Sequence, residues 1–199
     1  LSVCVHAPVS CGTIALPHLC QRAQPLQPLS FSFPVTGPFP LANTPLSPPY
    51  LDPAALAHAI ADVLAEQVQH LEADVVQLDE ANLPGHPEEW EWAASAINRV
   101  LDAVKTTPAV HLCFGNYGGQ SVQSGTWESL MRYLNALHAD HVVLECAHRP
   151  LEEIEVFKDL KPSIGFGLGA IDIKANGVEA AAEVARPSER AEATLGAGR

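Results

Sequence analysis

The sequence has few basic residues and no long apolar run, and each absence excludes a class of protein. Only 11 of the 199 residues are Lys or Arg, against 23 Asp or Glu, which gives a formal net charge of -12. The basic residues are scattered, which argues against a nucleic acid or an anionic membrane surface as partner. No apolar stretch approaches the roughly 20 residues of a membrane-spanning helix, and residues 1–30 lack the order of a signal peptide. We therefore expect a cytoplasmic protein, of undetermined oligomeric state.

Cysteine is too sparse and too irregularly spaced to form a disulfide framework. The chain is 47% hydrophobic, enough for the core of a single domain, so it does not depend on disulfide bonds for its stability. The cysteines form an odd set, namely Cys4, Cys11, Cys20, Cys113 and Cys146. Free thiols or metal ligands are therefore the better interpretation.

The chain does contain a regular alternation of short apolar runs with segments of helical period. Strands are predicted at residues 31–38, 74–80, 109–115, 141–146 and 162–172. Helices are predicted at residues 52–71, 88–105, 125–139 and 150–160. Strands that alternate with helices of this length indicate parallel βαβ units, whose strands are apolar because both faces of the sheet are buried.

Polar residues at the strand ends favour a barrel over an open sheet. An eight-stranded βα barrel collects its active site at the C-terminal ends of its strands, whereas an open doubly wound sheet usually carries a Gly-rich phosphate turn that opens a helix. The Gly-rich run at residues 165–169 opens no clear helix. The candidate residues at or just beyond successive strand ends are Asp79, Glu80, His111, Cys113, Glu145, Asp172 and Lys174.

The predicted fold is therefore an α/β barrel of the (βα)8 TIM type, and we expect it to be incomplete. A complete barrel typically needs about 250 residues, whereas residues 1–199 contain five clear strands and a possible sixth in residues 1–9. We expect a single partial barrel domain over residues 1–199.

The pair His111 and Cys113 raises the possibility of a metal site. Residues i and i+2 of a strand point to the same side, so the imidazole and the thiol can face a common point. Zinc accepts both donor types, and Glu145 at the end of the next strand is the natural third ligand. The alternative is an ordinary buried strand, because His-x-Cys is common by chance and a buried cysteine is usually a small hydrophobic residue.

Taken together, these motifs resemble the C-terminal catalytic barrel of cobalamin-independent methionine synthases, particularly the short single-barrel relatives. The resemblance covers about residues 31–180 and depends on His-x-Cys, the following strand-end Glu, VVQLDEANLPG upstream and IDIKANGVE downstream. It implies that His111, Cys113 and Glu145 bind zinc. It further implies that Asp79 contacts the amino group of homocysteine, and that the Thr-Gly-Pro sequence at 36–38 is a structural turn.

The activity implied by the resemblance is zinc-dependent methyl transfer to the thiol of homocysteine, which forms methionine. The implied methyl donor is methyltetrahydrofolate or a methyl-corrinoid. Asp79 and Lys174 are the catalytic candidates, and Glu80 and Asp172 are further candidates for substrate binding. Two alternatives stay open: alkylation of another thiol such as coenzyme M, and a barrel fragment that binds a ligand without catalysis.

Two departures from the family pattern affect this interpretation. Lys174 stands where the folate-using members have a histidine in Asp-Ile-His, and a lysine needs a strongly depressed pKa to serve the same proton role. The family's fourth zinc ligand, a cysteine in Pro-Asp-Cys-Gly, does not occur before Arg199. Cys146 directly follows Glu145, so we expect it to point to the opposite side of its strand. We therefore expect residues 1–199 alone to be inactive.

Overall fold

A single parallel sheet organises the part of the chain that the computed structural model describes. The described residues are 5, 7–10, 12, 15–27, 29–43, 50, 52–116, 118–147, 149–196 and 198. The strands of this sheet are β1 (Ser32–Thr36), β2 (Val75–Asp79), β3 (Thr107–Leu112), β4 (His141–Glu145) and β5 (Gly165–Gly169). Their order in space follows their order in the chain, and every neighbouring pair is parallel. This is the strand order of a βα barrel, whereas a doubly wound sheet reverses its order.

Helices join the strands and cover the sheet. Their bounds are α1 (Leu16–Ala23), α2 (Pro38–Asn43), α3 (Pro53–Val68), α4 (Trp90–Leu101), α5 (Trp127–Ala136) and α6 (Ala181–Leu195). Short 3-10 helices occur at Gln24–Leu26, Leu83–Gly85, Pro87–Glu89 and Leu151–Asp159. Across the described ranges, no helix combines the length and the apolar character needed to cross a bilayer.

Alternation along the strands separates a fully buried face of the sheet from a half-buried one. The buried side chains form one core with Leu56 of α3, Ile97 of α4 and Leu130 of α5. The fully buried strand residues are Val76, Leu78, Val110, Leu112, Val142 and Leu144. The side chains that alternate with them on β2 and β4 are only half-buried. The expectation that both faces are buried is therefore wrong for the second face, because the five strands do not close into a barrel.

The predicted strands and the helices α3, α4 and α5 are confirmed, and the helix predicted at residues 150–160 is the 3-10 helix Leu151–Asp159. The helices α1, α2 and α6 were not predicted. The helix α2 follows β1 directly, while residues 44–49 lie outside the described residues. The helices α1 and α6 bury only Cys20 and Ala191 respectively. The possible strand in residues 1–9 falls partly outside the described residues, and residues 5 and 7–9 form no strand.

The turn after β1 depends on a glycine that packs against a buried carboxyl group. The Gly37 N–H donates to the Asp79 carbonyl oxygen at 2.9 Å, which links the turn to β2. The Glu80 side chain is fully buried, and its Oε1 accepts a hydrogen bond from the Phe39 N–H at 3.3 Å. A Cβ atom at position 37 would overlap this carboxyl group. The Thr-Gly-Pro turn therefore requires glycine for steric reasons.

Gly37→Ala is expected to destabilise the fold by about 1–3 kcal/mol, because the added methyl group must displace a buried, hydrogen-bonded side chain. Urea unfolding followed by circular dichroism measures the free energy of unfolding. Gly177→Ala is the matched control, since a Cβ atom there meets no other atom within 4 Å. Equal stability of the two variants would contradict the packing of Gly37 against Glu80.

Candidate functional site

The C-terminal ends of β3, β4 and β5 enclose a cavity of about 160 Å³. His111 and Cys113 reach it from the end of β3, and Glu145 reaches it from the end of β4. Asp172 and Lys174 reach it from the segment that follows β5. Five of the seven residues selected from the sequence therefore line one cavity, at the end of the sheet where barrel enzymes carry their active sites.

His111 is held in one orientation by the neighbouring strand. Its Nδ1 lies 3.1 Å from the carbonyl oxygen of Val143, the residue opposite it in the β3–β4 register. Because a carbonyl oxygen can only accept, this hydrogen bond requires the proton on Nδ1. The other ring nitrogen, Nε2, is then the one with a lone pair available to a ligand, as in most metal-binding histidines.

Cys113 is a half-buried thiol whose ionisation responds to the charges around it. Burial raises the pKa of the Cys113 thiol, while the Gly115 N–H, which donates to the sulfur, lowers it. The negative charge of Glu145 raises this pKa, the positive charge of Lys174 lowers it, and the negative charge of Asp79 raises it again. The neutral thiol is thus favoured unless a cation in the cavity stabilises the thiolate.

Glu145 forms a buried ion pair with Lys174. Its Oε1 accepts a hydrogen bond from the Lys174 Nζ, and its Oε2 accepts one from the Phe114 N–H at 3.0 Å. The Lys174 side chain is only 3% exposed, and its Nζ also donates to the Ser121 hydroxyl at 3.1 Å. Both carboxylate oxygens of Glu145 are therefore engaged, one of them by a cation inside the cavity.

A tight turn after β5 presents Lys174 to the cavity. The Asp172 Oδ1 accepts hydrogen bonds from the N–H groups of Lys174 at 2.9 Å and Ala175 at 3.3 Å. The Asp172 N–H in turn donates to Glu179 at 2.6 Å. Asp172 was predicted as a substrate-binding residue, and its observed contacts shape the backbone that carries Lys174.

An aromatic cluster behind the cavity positions the end of β4, and most of its residues carry no recognisable sequence signal. The Trp127 Nε1 donates to the Glu145 carbonyl oxygen at 3.1 Å, and the Trp127 ring meets the edge of Phe114 with centroids 4.9 Å apart. The Arg149 guanidinium lies 4.0 Å from the Phe114 centroid and is paired with Glu153 at 2.6 Å. Neither Phe114 nor Arg149 belongs to a recognisable motif, so only the folded structure reveals their role.

The two acidic residues at the end of β2 have different environments. Asp79 is half-buried beside the cavity, in register with His111, and its Oδ1 accepts a hydrogen bond from the Gln77 side chain at 2.9 Å. Glu80 was expected to contact the substrate, support Asp79 or face solvent. It is instead fully buried against Phe39 and does not line the cavity. Successive residues of a strand point to opposite faces, so Glu80 faces the core when Asp79 does not. This burial raises the pKa of the Glu80 carboxyl group well above its usual value.

The donor types in the cavity fit a zinc ion, although they are not assembled around one. An imidazole, a thiol and a carboxylate line one cavity, and the Lys174 ammonium occupies a place where a cation is favoured. Among the residues that the structure describes, however, no three His, Cys, Asp or Glu side chains are grouped closely enough to hold a metal ion. The ligand set His111, Cys113 and Glu145 therefore stays a prediction.

A parallel sheet in barrel order, with thiol, imidazole and carboxylate groups at its C-terminal end, defines a barrel-type α/β catalytic domain. The family model described as the catalytic domain of cobalamin-independent synthases matches residues 3–197. The chain belongs to this family.

Comparisons with individual proteins agree with this assignment. The methionine synthase of Thermococcus kodakarensis is 30% identical over 156 residues, which cover 77% of this chain and 43% of that protein. The 2-hydroxypropyl-CoM lyase of Xanthobacter autotrophicus is 30% identical over 166 residues, covering 67% of this chain and 44% of that protein. The chain thus spans less than half the length of these relatives.

A solved structure also resembles this fold. It is the B12-independent methionine synthase from Shewanella sp. W3-18-1 in complex with selenomethionine, at 25% sequence identity and a TM-score of 0.83. The likeness covers 96% of this chain and 59% of that chain. The predicted barrel class is thereby confirmed.

Glu145→Gln is expected to speed the alkylation of Cys113 by iodoacetamide several-fold at neutral pH. Removing the negative charge lowers the pKa of the thiol and leaves the Lys174 charge unpaired beside it, so more thiolate is present. Peptide mass spectrometry resolves Cys113 from the other cysteines. At a pH high enough to ionise the thiol fully, the variant and the wild type should react alike.

Glu152→Gln is the matched control, because Glu152 is an exposed residue that does not line the cavity. An alkylation rate at neutral pH that is the same for Glu145→Gln and wild type would show that Glu145 does not govern the ionisation of Cys113.

Proposed function

We propose that this chain carries the catalytic site of a zinc-dependent methyltransferase that methylates the thiol of homocysteine to form methionine. The observation that carries the proposal is the cavity at the strand ends, which His111, Cys113 and Glu145 all line. Membership of the cobalamin-independent synthase family supports the same activity. Zinc bound by these three residues would supply Lewis-acid stabilisation of the substrate thiolate at neutral pH.

The protein positions the three candidate ligands through its backbone. The Val143 carbonyl orients the His111 ring, and the Phe114 N–H holds one oxygen of Glu145. The Trp127 indole fixes the carbonyl group of Glu145 as well. These contacts orient His111 and Glu145, as outer partners do for the ligands of metal sites.

Asp79 is the proposed contact for the amino group of homocysteine. It lies on the strand next to His111 and in register with it, so an amino acid whose sulfur is in the cavity can present its ammonium group to this carboxylate. The hydrogen bond from Gln77 limits the rotation of the Asp79 side chain. A charge-assisted hydrogen bond of this kind contributes about 1.5–3 kcal/mol.

Lys174 is the second proposed catalytic residue, and Asp172 is its proposed positioning residue. The Lys174 ammonium is a hydrogen-bond donor inside the cavity, where it can act on the substrate or on the methyl donor. During transfer, the bond between sulfur and the methyl carbon forms while the bond between the methyl group and its donor breaks. The homocysteine thiol loses its proton, and a methyltetrahydrofolate donor gains one at the nitrogen that loses the methyl group; a methyl-corrinoid is the other candidate donor.

Alkylation of a different thiol is the second candidate function. The chain is also 30% identical to a 2-hydroxypropyl-CoM lyase, over 67% of its length, against 77% for the methionine synthase of equal identity. Coenzyme M has a sulfonate group and no amino group, so the proposed role of Asp79 applies to homocysteine alone. The relative affinity of the protein for the two thiols therefore separates the two functions.

Cys113→Ser is expected to lower the zinc content of the dialysed protein from about one ion per chain to well below half of that. A hydroxyl group is a much poorer zinc ligand than a thiolate. Elemental analysis measures the metal. Cys146→Ser is the matched control, because Cys146, the residue after Glu145, is buried and does not line the cavity. If the Cys113→Ser variant retains its full zinc content, the proposed ligand set is wrong.

Asp79→Asn is expected to weaken the binding of homocysteine to the zinc-loaded protein by roughly 10- to 150-fold, through loss of the charge-assisted hydrogen bond. Isothermal titration calorimetry measures the affinity, and the zinc content should not change. Asp102→Asn, at an exposed residue paired with His138, controls for the loss of one negative charge. Coenzyme M affinity that exceeds homocysteine affinity in the wild type would favour the second function.

A further inference from the structure

We propose that Lys174 is an internal competitor of the metal ion, so that its ammonium group and a divalent cation occupy the Glu145 carboxylate in turn. The inference rests on the proposed zinc site. It assigns to Lys174 a role that neither the sequence pattern nor the family membership supplies, namely control of access to Glu145.

The first support is the state of the Glu145 carboxylate. The Phe114 N–H and the Lys174 ammonium each take one of its oxygens. The Lys174 side chain is almost fully buried, and a buried ammonium group is stable only when a negative charge compensates it. Glu145 supplies that compensation. While this pair persists, the Glu145 Oε1 is bound by Lys174 and is not available to a metal ion.

The second support is electrostatic exclusion. An ammonium group and a divalent cation that share one carboxylate repel each other strongly at such short range. The Lys174 charge also favours the Cys113 thiolate, which would assist metal binding. Its repulsion acts on an ion of twice that charge, however, so the net effect of Lys174 on metal affinity is unfavourable.

The third support is a place for the displaced ammonium group. A second cavity, of about 300 Å³, shares Ala147 and Asp172 with the first and is also lined by Glu179 and Glu183. Rotation about the bonds of the lysine side chain can carry the charge away from Glu145 without refolding the turn. The two glutamates provide negative charge on that side, so the ammonium group leaves one carboxylate environment for another.

The first test measures zinc affinity by competition with a chromophoric chelator. Lys174→Met is expected to bind zinc at least tenfold more tightly than the wild type, whereas Lys174→Arg retains the charge and should stay near the wild-type value. Lys105→Met, at an exposed lysine that does not line the cavity, should be unchanged. Equal zinc affinity of Lys174→Met and the wild type would overturn the inference.

The second test follows Lys174 itself in the wild-type protein. Acetylation with and without zinc, resolved by peptide mass spectrometry, should increase several-fold at Lys174 when zinc binds, with no change at Lys105. A Lys174 that stays protected in the zinc-loaded protein would show that metal and ammonium do not exchange. Absence of zinc binding in both the wild type and Lys174→Met would instead overturn the proposed zinc site, and the inference with it.

Discussion

The parallel register of β2, β3 and β4 determines where Asp79, His111 and Glu145 lie. Asp79 is opposite His111, and His111 is opposite Val143, two residues before Glu145. Because all strands run in one direction, their polar C-terminal residues meet at one edge, while the apolar residues that alternate with them enter the core. A shift of one residue in this register would exchange the two sets. The same alternation explains why Asp79 lies beside the cavity and Glu80, its neighbour, is buried.

Glu145 connects this scaffold to the chemistry of the cavity. Its carbonyl group is bound by the Trp127 indole, and its carboxylate is bound by the Phe114 N–H and by Lys174. The Trp127 and Phe114 rings pack together beneath Arg149, so the position of one carboxylate depends on a cluster of large side chains. A change in that cluster would therefore reach the cavity through Glu145.

The sequence predicted the parts of the molecule that local pattern controls. The five strands and the helices α3, α4 and α5 have strong periodicity, and the strand ends identified five of the residues that line the cavity. The helices α1 and α6 were not predicted, and each buries a single residue. The contact between Glu145 and Lys174 joins residues 29 positions apart through an irregular turn, and no periodicity encodes such a contact.

The charge of this chain makes the buried cation of the cavity important for folding. The formal net charge is -12, and the cavity brings a carboxylate and a thiol together with another carboxylate, Asp79, close by. Burying Glu145 without a partner would be strongly unfavourable. Many small metal sites avoid this cost only by coupling metal binding to folding. Here the Lys174 ammonium compensates the Glu145 charge within the chain, so the carboxylate at the end of β4 is paired by a residue of the protein itself.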